Sequence, residues 1–111
     1  MPISTTAARL TVHLSGSAMW HHRPAYVEIV HRALHAGLAG ASAFRAVEGY
    51  GRHLRVHQEH VSRLSHHDST VVVVVEEEQR LRDFLAGLSD ILEVTGVAVV
   101  DPVELHHPRS A

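Results

Sequence analysis

Apolar and polar residues alternate from Arg9 to Leu14, with Leu10, Val12 and Leu14 on one side and Thr11 and His13 on the other. A period of two marks a strand with one apolar face. Ser15-Gly16-Ser17 ends it and opens a loop carrying Trp20-His21-His22-Arg23. Pro24 suits the first turn of a helix, where a missing N–H costs nothing. Tyr26, Ile29, Val30, Ala33 and Leu34 then recur at helical spacing, with Glu28, His31, Arg32 and His35 mostly on the polar side. Gly37-Leu38 predicts a Schellman-type stop, Leu38 folding back on the last turn. A second strand is expected from about Ala41 to Val47.

Glu48-Gly49-Tyr50-Gly51 interrupts that strand, and the chain stays polar and rich in Arg and His as far as Asp68. A short helical turn is expected around Val56 to Leu64. A connection this long in so small a domain is functional or mobile. Val71–Val75, five β-branched residues in a row, predicts a third strand. Glu76, Glu77 and Glu78 would place negative charge on the first turn of a second helix, favourable to its dipole. Its apolar stripe is Leu81, Phe84, Leu85, Leu88 and Leu92. Gly96 precedes a fourth strand, Val97–Val100, and Val103–His106 adds a short edge strand after Pro102. The order is β-α-β-β-α-β: an α+β, ferredoxin-like unit with two helices on one face of an antiparallel sheet.

The valines carry a further implication. A sheet with one face in water should alternate apolar and polar residues, yet Val71–Val75 does not. Two or three valines must point away from the helices, and about 1.5 kcal/mol or more accompanies burial of each. Either neighbouring subunits bury that face, or the long Arg/His-rich loop folds over it. The loop has little apolar surface to offer, which favours subunits.

At 111 residues the chain is one domain. With no Cys it has no disulfide, thiolate metal site or cysteine nucleophile. All 10 basic residues are Arg; Lys and Asn are absent, which removes Schiff-base lysines, a P-loop lysine and any catalytic Asn. A net charge of -2 gives no general attraction to nucleic acid. No run approaches the roughly 20 apolar residues of a membrane span, and no signal peptide is apparent, so a soluble cytoplasmic protein is expected, without direct membrane insertion.

Three groups of residues could carry chemistry. Glu48, Gly49 and Gly51, flanked by Arg45, Arg52 and Arg55, form either a simple turn or an anion site, where glycine backbone and guanidinium forks meet phosphate or carboxylate. Trp20 and Arg23 either close such a site or anchor packing. His53, His57 and His60 share one face if the segment is helical and could bind a metal; against that, His serves as a generic polar residue in a chain with 12 of them. Catalysis has no nucleophile elbow to stand on. An acylphosphatase-like enzyme would want an Asn, an RNA-recognition domain would want aromatics on its central strands, and a metal chaperone would want a Cys pair. A His-rich metal-binding trimer or a His57-dependent phosphotransfer enzyme remains as the alternative to a regulator.

Trp20-His-His-Arg23-Pro24-Ala-Tyr26, Gly37-Leu38-Ala-Gly40-Ala41, Arg45-Ala-Val-Glu48-Gly49-Tyr50-Gly51, His57, Leu64-Ser65 with Asp68, and the valine strand resemble the uncharacterised PII-like family catalogued as domain of unknown function one-ninety. The resemblance spans about residues 8 to 105. It implies a ferredoxin-like homotrimer similar to PII signalling proteins, with a small anionic effector, often an adenine nucleotide, in clefts between subunits. It also implies that residues 49–68 form the loop that reports occupancy to a partner, a membrane transporter among the candidates. PII proteins use a Gly-rich loop with Lys for phosphates. Here Arg would have to supply those contacts. The residues do not identify a cofactor, which stays unknown at this point.

Overall fold

Leu10, Val12 and Leu14 are buried while His13 is exposed, as the alternation requires. The structure, a computed structural model, describes residues 2–46, 48–49, 57–58 and 69–108. In chain order the elements are β1 (Pro2–Ser15), β2 (Met19–Trp20), β3 (Arg23–Pro24), α1 (Ala25–His35), β4 (Gly40–Arg45), β5 (Glu48–Gly49), β6 (His57–Gln58), β7 (Ser69–Glu77), α2 (Glu78–Ala86), α3 (Ser89–Thr95) and β8 (Gly96–Pro108). The main sheet is antiparallel with order β4-β7-β1-β8. Two short hairpins, β2–β3 and β5–β6, stand beside it. This is the ferredoxin-like arrangement.

The core lies between one sheet face and the helices. Leu10, Val12, Val72 and Val74 from the sheet meet Ala25 and Ile29 of α1, Leu81 of α2, and Leu88 and Ile91 around α3. α1 ends as expected: Gly37 takes φ +71°, with Gly37 N–H donating to the Leu34 carbonyl (3.0 Å) and Leu38 N–H to the Ala33 carbonyl (3.1 Å). Those paired bonds are a Schellman motif.

Four details differ from the sequence expectation. The second helix is two, α2 and α3, because the chain turns at Gly87-Leu88; Leu88 is buried in that turn and Ile91 joins the stripe. Glu76 and Glu77 belong to β7, not to the helix. Glu77 is the N-cap, accepting from the N–H groups of Gln79 (2.8 Å) and Arg80 (3.4 Å), so its charge does face the helix dipole. Glu76 is buried and accepts from Ala39 N–H (2.7 Å) and Glu77 N–H (2.8 Å), tying the exit of α1 to the end of β7. Finally, Pro102 does not divide the last strand: β8 runs unbroken opposite β1, with Pro102 across from Ala8. As an edge strand, β8 tolerates a residue without an N–H.

Val71, Val73 and Val75 lie on the face away from the helices and stay half-buried, while Val72 and Val74 are fully buried. Three rows cross that bare face: Gly40, Val75, Arg9 and Asp101; then Ser42, Val73, Thr11 and Val99; then Phe44, Val71, His13 and Val97. Phe44, Val97 and Val99 remain 58%, 41% and 47% exposed. The Arg9 and Asp101 side chains pair at 2.7 Å. Of the long loop that could cover this face, residues 50–56 and 59–68 lie outside the described residues.

Candidate ligand site

β1 and β4 run parallel with β7 between them, so both end at the edge of the sheet where β7 begins. Arg45 and Leu14 both lie opposite Thr70, and Gly96 lies opposite Leu14. The backbones of β4 and β1 are therefore two strand spacings apart there, about 10 Å. Ala46 N–H donates to the Ser69 carbonyl at 2.8 Å, which carries the chain from β4 toward Glu48 and Gly49. From β1, a turn closed by Ala18 N–H on the Ser15 carbonyl (3.1 Å) leads to the β2–β3 hairpin and Trp20. The topology thus brings Arg45, followed in the chain by Glu48 and Gly49, to the end of the sheet at which β1 also gives way to the β2–β3 hairpin of Trp20 and Arg23. Gly51, Arg52 and Arg55 lie outside the described residues.

Trp20 and Arg23 themselves are engaged with α1. The hairpin turns at His21-His22, both at positive φ (48° and 73°). Consecutive positive φ values belong to the tight hairpin turns whose twist matches that of paired strands. Trp20 is partly buried and packs against the core. The Arg32 guanidinium lies over its ring, 5.6 Å from the centroid, and the His21 ring is 4.5 Å away. Arg23 donates to Glu28 at 2.8 Å and to Nδ1 of His31 at 3.3 Å. Glu28 also accepts from Arg32 Nε at 2.7 Å, and Arg32 reaches the Asp90 carboxylate (3.1 and 3.3 Å) and the Gly87 carbonyl (3.2 Å).

One guanidinium thus joins the hairpin, α1 and the turn between α2 and α3. Hydrogen bonds from Arg32, then Arg23, hold the Glu28 carboxyl below its ordinary range. Arg32 likewise lowers Asp90, and Asp90 followed by Glu28 raises Arg32. Sequence reasoning placed Glu28 and Arg32 merely on the polar side of the helix. Their i, i+4 spacing with Glu first is the signal that pairs them; nothing local points to Asp90.

The metal alternative loses its geometric premise at one position. His57 pairs with Gly49 in the β5–β6 hairpin, so the backbone there is extended and not helical. His53 and His60 lie outside the described residues, as does most of the expected Val56–Leu64 turn. Among the described residues, no group of three or more His, Asp or Glu is placed to hold a metal ion, and no helix is long and apolar enough to cross a membrane. His31 and His35 are exposed on α1, as expected.

Comparison with known proteins agrees with this architecture. Residues 7–105 match the model of DUF190, described as "Uncharacterized ACR", and the chain belongs to that family. Among solved structures, it is similar to CPII, a nitrogen regulatory PII-like protein from Thiomonas intermedia K12 bound to ADP, AMP and bicarbonate: 17% identity, TM-score 0.69, covering 93% of this chain and 91% of that one. The apo form of the same protein gives 16% identity and TM-score 0.65, covering 97% and 100%. A putative PII-like signaling protein from Thermus thermophilus gives 13% identity and TM-score 0.65, covering 92% and 91%. At these identities the likeness establishes a PII-like fold.

Proposed function

We propose that the chain is a cytoplasmic, trimeric PII-like regulator that binds a small anionic effector and signals to a partner, a transporter among the candidates, through residues 49–68. The observation that carries this reading is the gathering of Arg45, Glu48 and Gly49 at one end of a PII-like sheet, where the long loop departs. Arg45, Arg52 and Arg55 would provide charge, and Gly49 and Gly51 backbone N–H groups, for a phosphate or carboxylate. The similar CPII binds ADP, AMP and bicarbonate, which makes adenine nucleotides and bicarbonate the first ligands to try. The trimer would form through the bare sheet face, where Phe44, Val97 and Val99 are exposed in the single chain and favour burial against a neighbour. Trp20 and Arg23 would support the site by shaping the hairpin beside it.

The test is a thermal-shift and calorimetric screen of adenine nucleotides, cyclic nucleotides, carboxylates and bicarbonate, repeated on Arg45→Ala and Arg55→Ala. Losing one charge-assisted contact costs roughly 1.5–3 kcal/mol, so at least one variant should bind at least about tenfold more weakly. Hits that neither substitution alters would place the site elsewhere. Stabilisation by zinc or copper alone, abolished by His57→Ala, would replace this reading with the metal-binding one.

A further inference from the structure

His13 stands in the most apolar row of the bare face. Val71 of β7 is beside it on one side and Val97 of β8 on the other, with Phe44 of β4 beyond Val71. Thr11 is its same-face neighbour along β1, and Val73 and Val99 complete the next row. Among the described residues, the nearest charged groups on this face are Arg9 and Asp101, four residues along β1 from His13 and so about 13 Å away. They neutralise each other in an ion pair. His13 itself is exposed in the single chain.

We propose that His13 makes assembly of this chain pH-sensitive, its protonation driving subunits apart. The inference rests on the assembly reading above, in which second copies of this chain cover the bare face. A copy fits because the face presents Phe44, Val71, Val73, Val97 and Val99 and its one charged pair, Arg9–Asp101, is internally neutral among the described residues, so like surfaces meet without net repulsion. Covering the face takes His13 out of water. Val71, Val73, Phe44, Val97 and Val99 offer no carboxylate to compensate an imidazolium, and a buried unpaired charge is disfavoured. The assembled state then binds fewer protons than the separated chains. By linkage, assembly is strongest where the imidazole is neutral and weakens as pH falls.

Sedimentation equilibrium at about pH 8 and about pH 5.5, on the wild-type chain, His13→Gln and His13→Leu, tests this. The wild-type trimer should dissociate at least about tenfold more readily at the lower pH, and both variants should hold one dissociation constant across the range. Leu keeps the apolar contact if Gln weakens it. A wild-type trimer equally tight at both pH values overturns the His13 switch and leaves the trimer standing. Variants that weaken as much as wild type overturn the switch too, by moving it to another of the histidines. A wild-type monomer at both pH values overturns the assembly reading itself.

Discussion

The Arg32 guanidinium sits 5.6 Å over the Trp20 ring while its nitrogens bind Glu28 and Asp90. Trp20 is the only tryptophan of the chain, so its fluorescence reports on this one contact. Replacing Arg32 by Ala should shift the emission to longer wavelength and increase quenching by iodide, as the hairpin loosens and the ring meets water. Far-UV circular dichroism should remain that of a folded sheet. An unchanged emission maximum would show that packing against the core alone holds the ring.

Glu28 joins two arginines and should reveal itself by its pH dependence. Its carboxyl is held below the ordinary value of 4.5, first by Arg32 and then by Arg23. A lowered carboxyl contributes stability that is complete above its unfolded value and lost as pH falls through the folded one. Glu28→Gln should thus be less stable than wild type at neutral pH by about 0.5–1 kcal/mol, because the pairs are partly exposed. The two proteins should converge in acid, below pH 4.5. Urea titrations at several pH values measure the difference.

Two glycines separate conformational freedom from space. A Cβ on Gly96 would collide with the carbonyl of His13, backbone that cannot swing away, whereas one on Gly40 meets nothing within 4 Å. Gly96→Ala should cost about 1–3 kcal/mol, as overpacking does, and disturb the pairing of β8 with β1. Gly40→Ala should be neutral, or stabilising by up to about 1 kcal/mol through the unfolded chain. Thermal melts of the two variants settle it.

Glu76→Ala leaves the Ala39 N–H without its carboxylate partner. The expected loss is about 1–3 kcal/mol, with faster hydrogen exchange at Ala39. Glu76→Gln keeps one acceptor oxygen and should lose less.

Neighbouring valines of β7 should answer oppositely to a charge. Val72 is fully buried against the helices, whereas Val73 faces away from them. Val72→Asp should unfold the domain, while Val73→Asp should leave it folded and monomeric. A Val73→Asp protein that is still trimeric by light scattering would exclude this face as the interface.

The main strands and α1 were legible because their patterns are local: the alternation in β1, the glycine stop at Gly37 and the β-branched run of β7 each announce themselves. Where the reading failed, a distant partner decided. Glu76 looks like a helix-first-turn acid until Ala39, 37 positions away, donates to it. Pro102 reads as a strand breaker until β1 supplies a ladder along the whole of β8. His57 fits a weak helical period, but pairing with Gly49 takes it into a hairpin. For the candidate residues Trp20 and Arg23, the sequence offered the side chains but not their neighbourhood. That Trp20 lies under Arg32 and Arg23 against Glu28 depends on how β2–β3 docks on α1, which no spacing within the hairpin encodes.

The pairing of β1 with β8 also has a consequence for biosynthesis. At Arg9 and Asp101 the partners are separated by 92 positions, so β1, near the start of the chain, waits for almost the entire domain to be synthesised before one of its edges is satisfied. Until then a nascent chain carries an open, valine-flanked edge suited to pairing with another nascent chain. Slow translation or a stall before β8 should therefore favour aggregation on the ribosome more than an equal delay after it, and the domain should depend on chaperone holding early in its life, however stable it becomes once its ends have met.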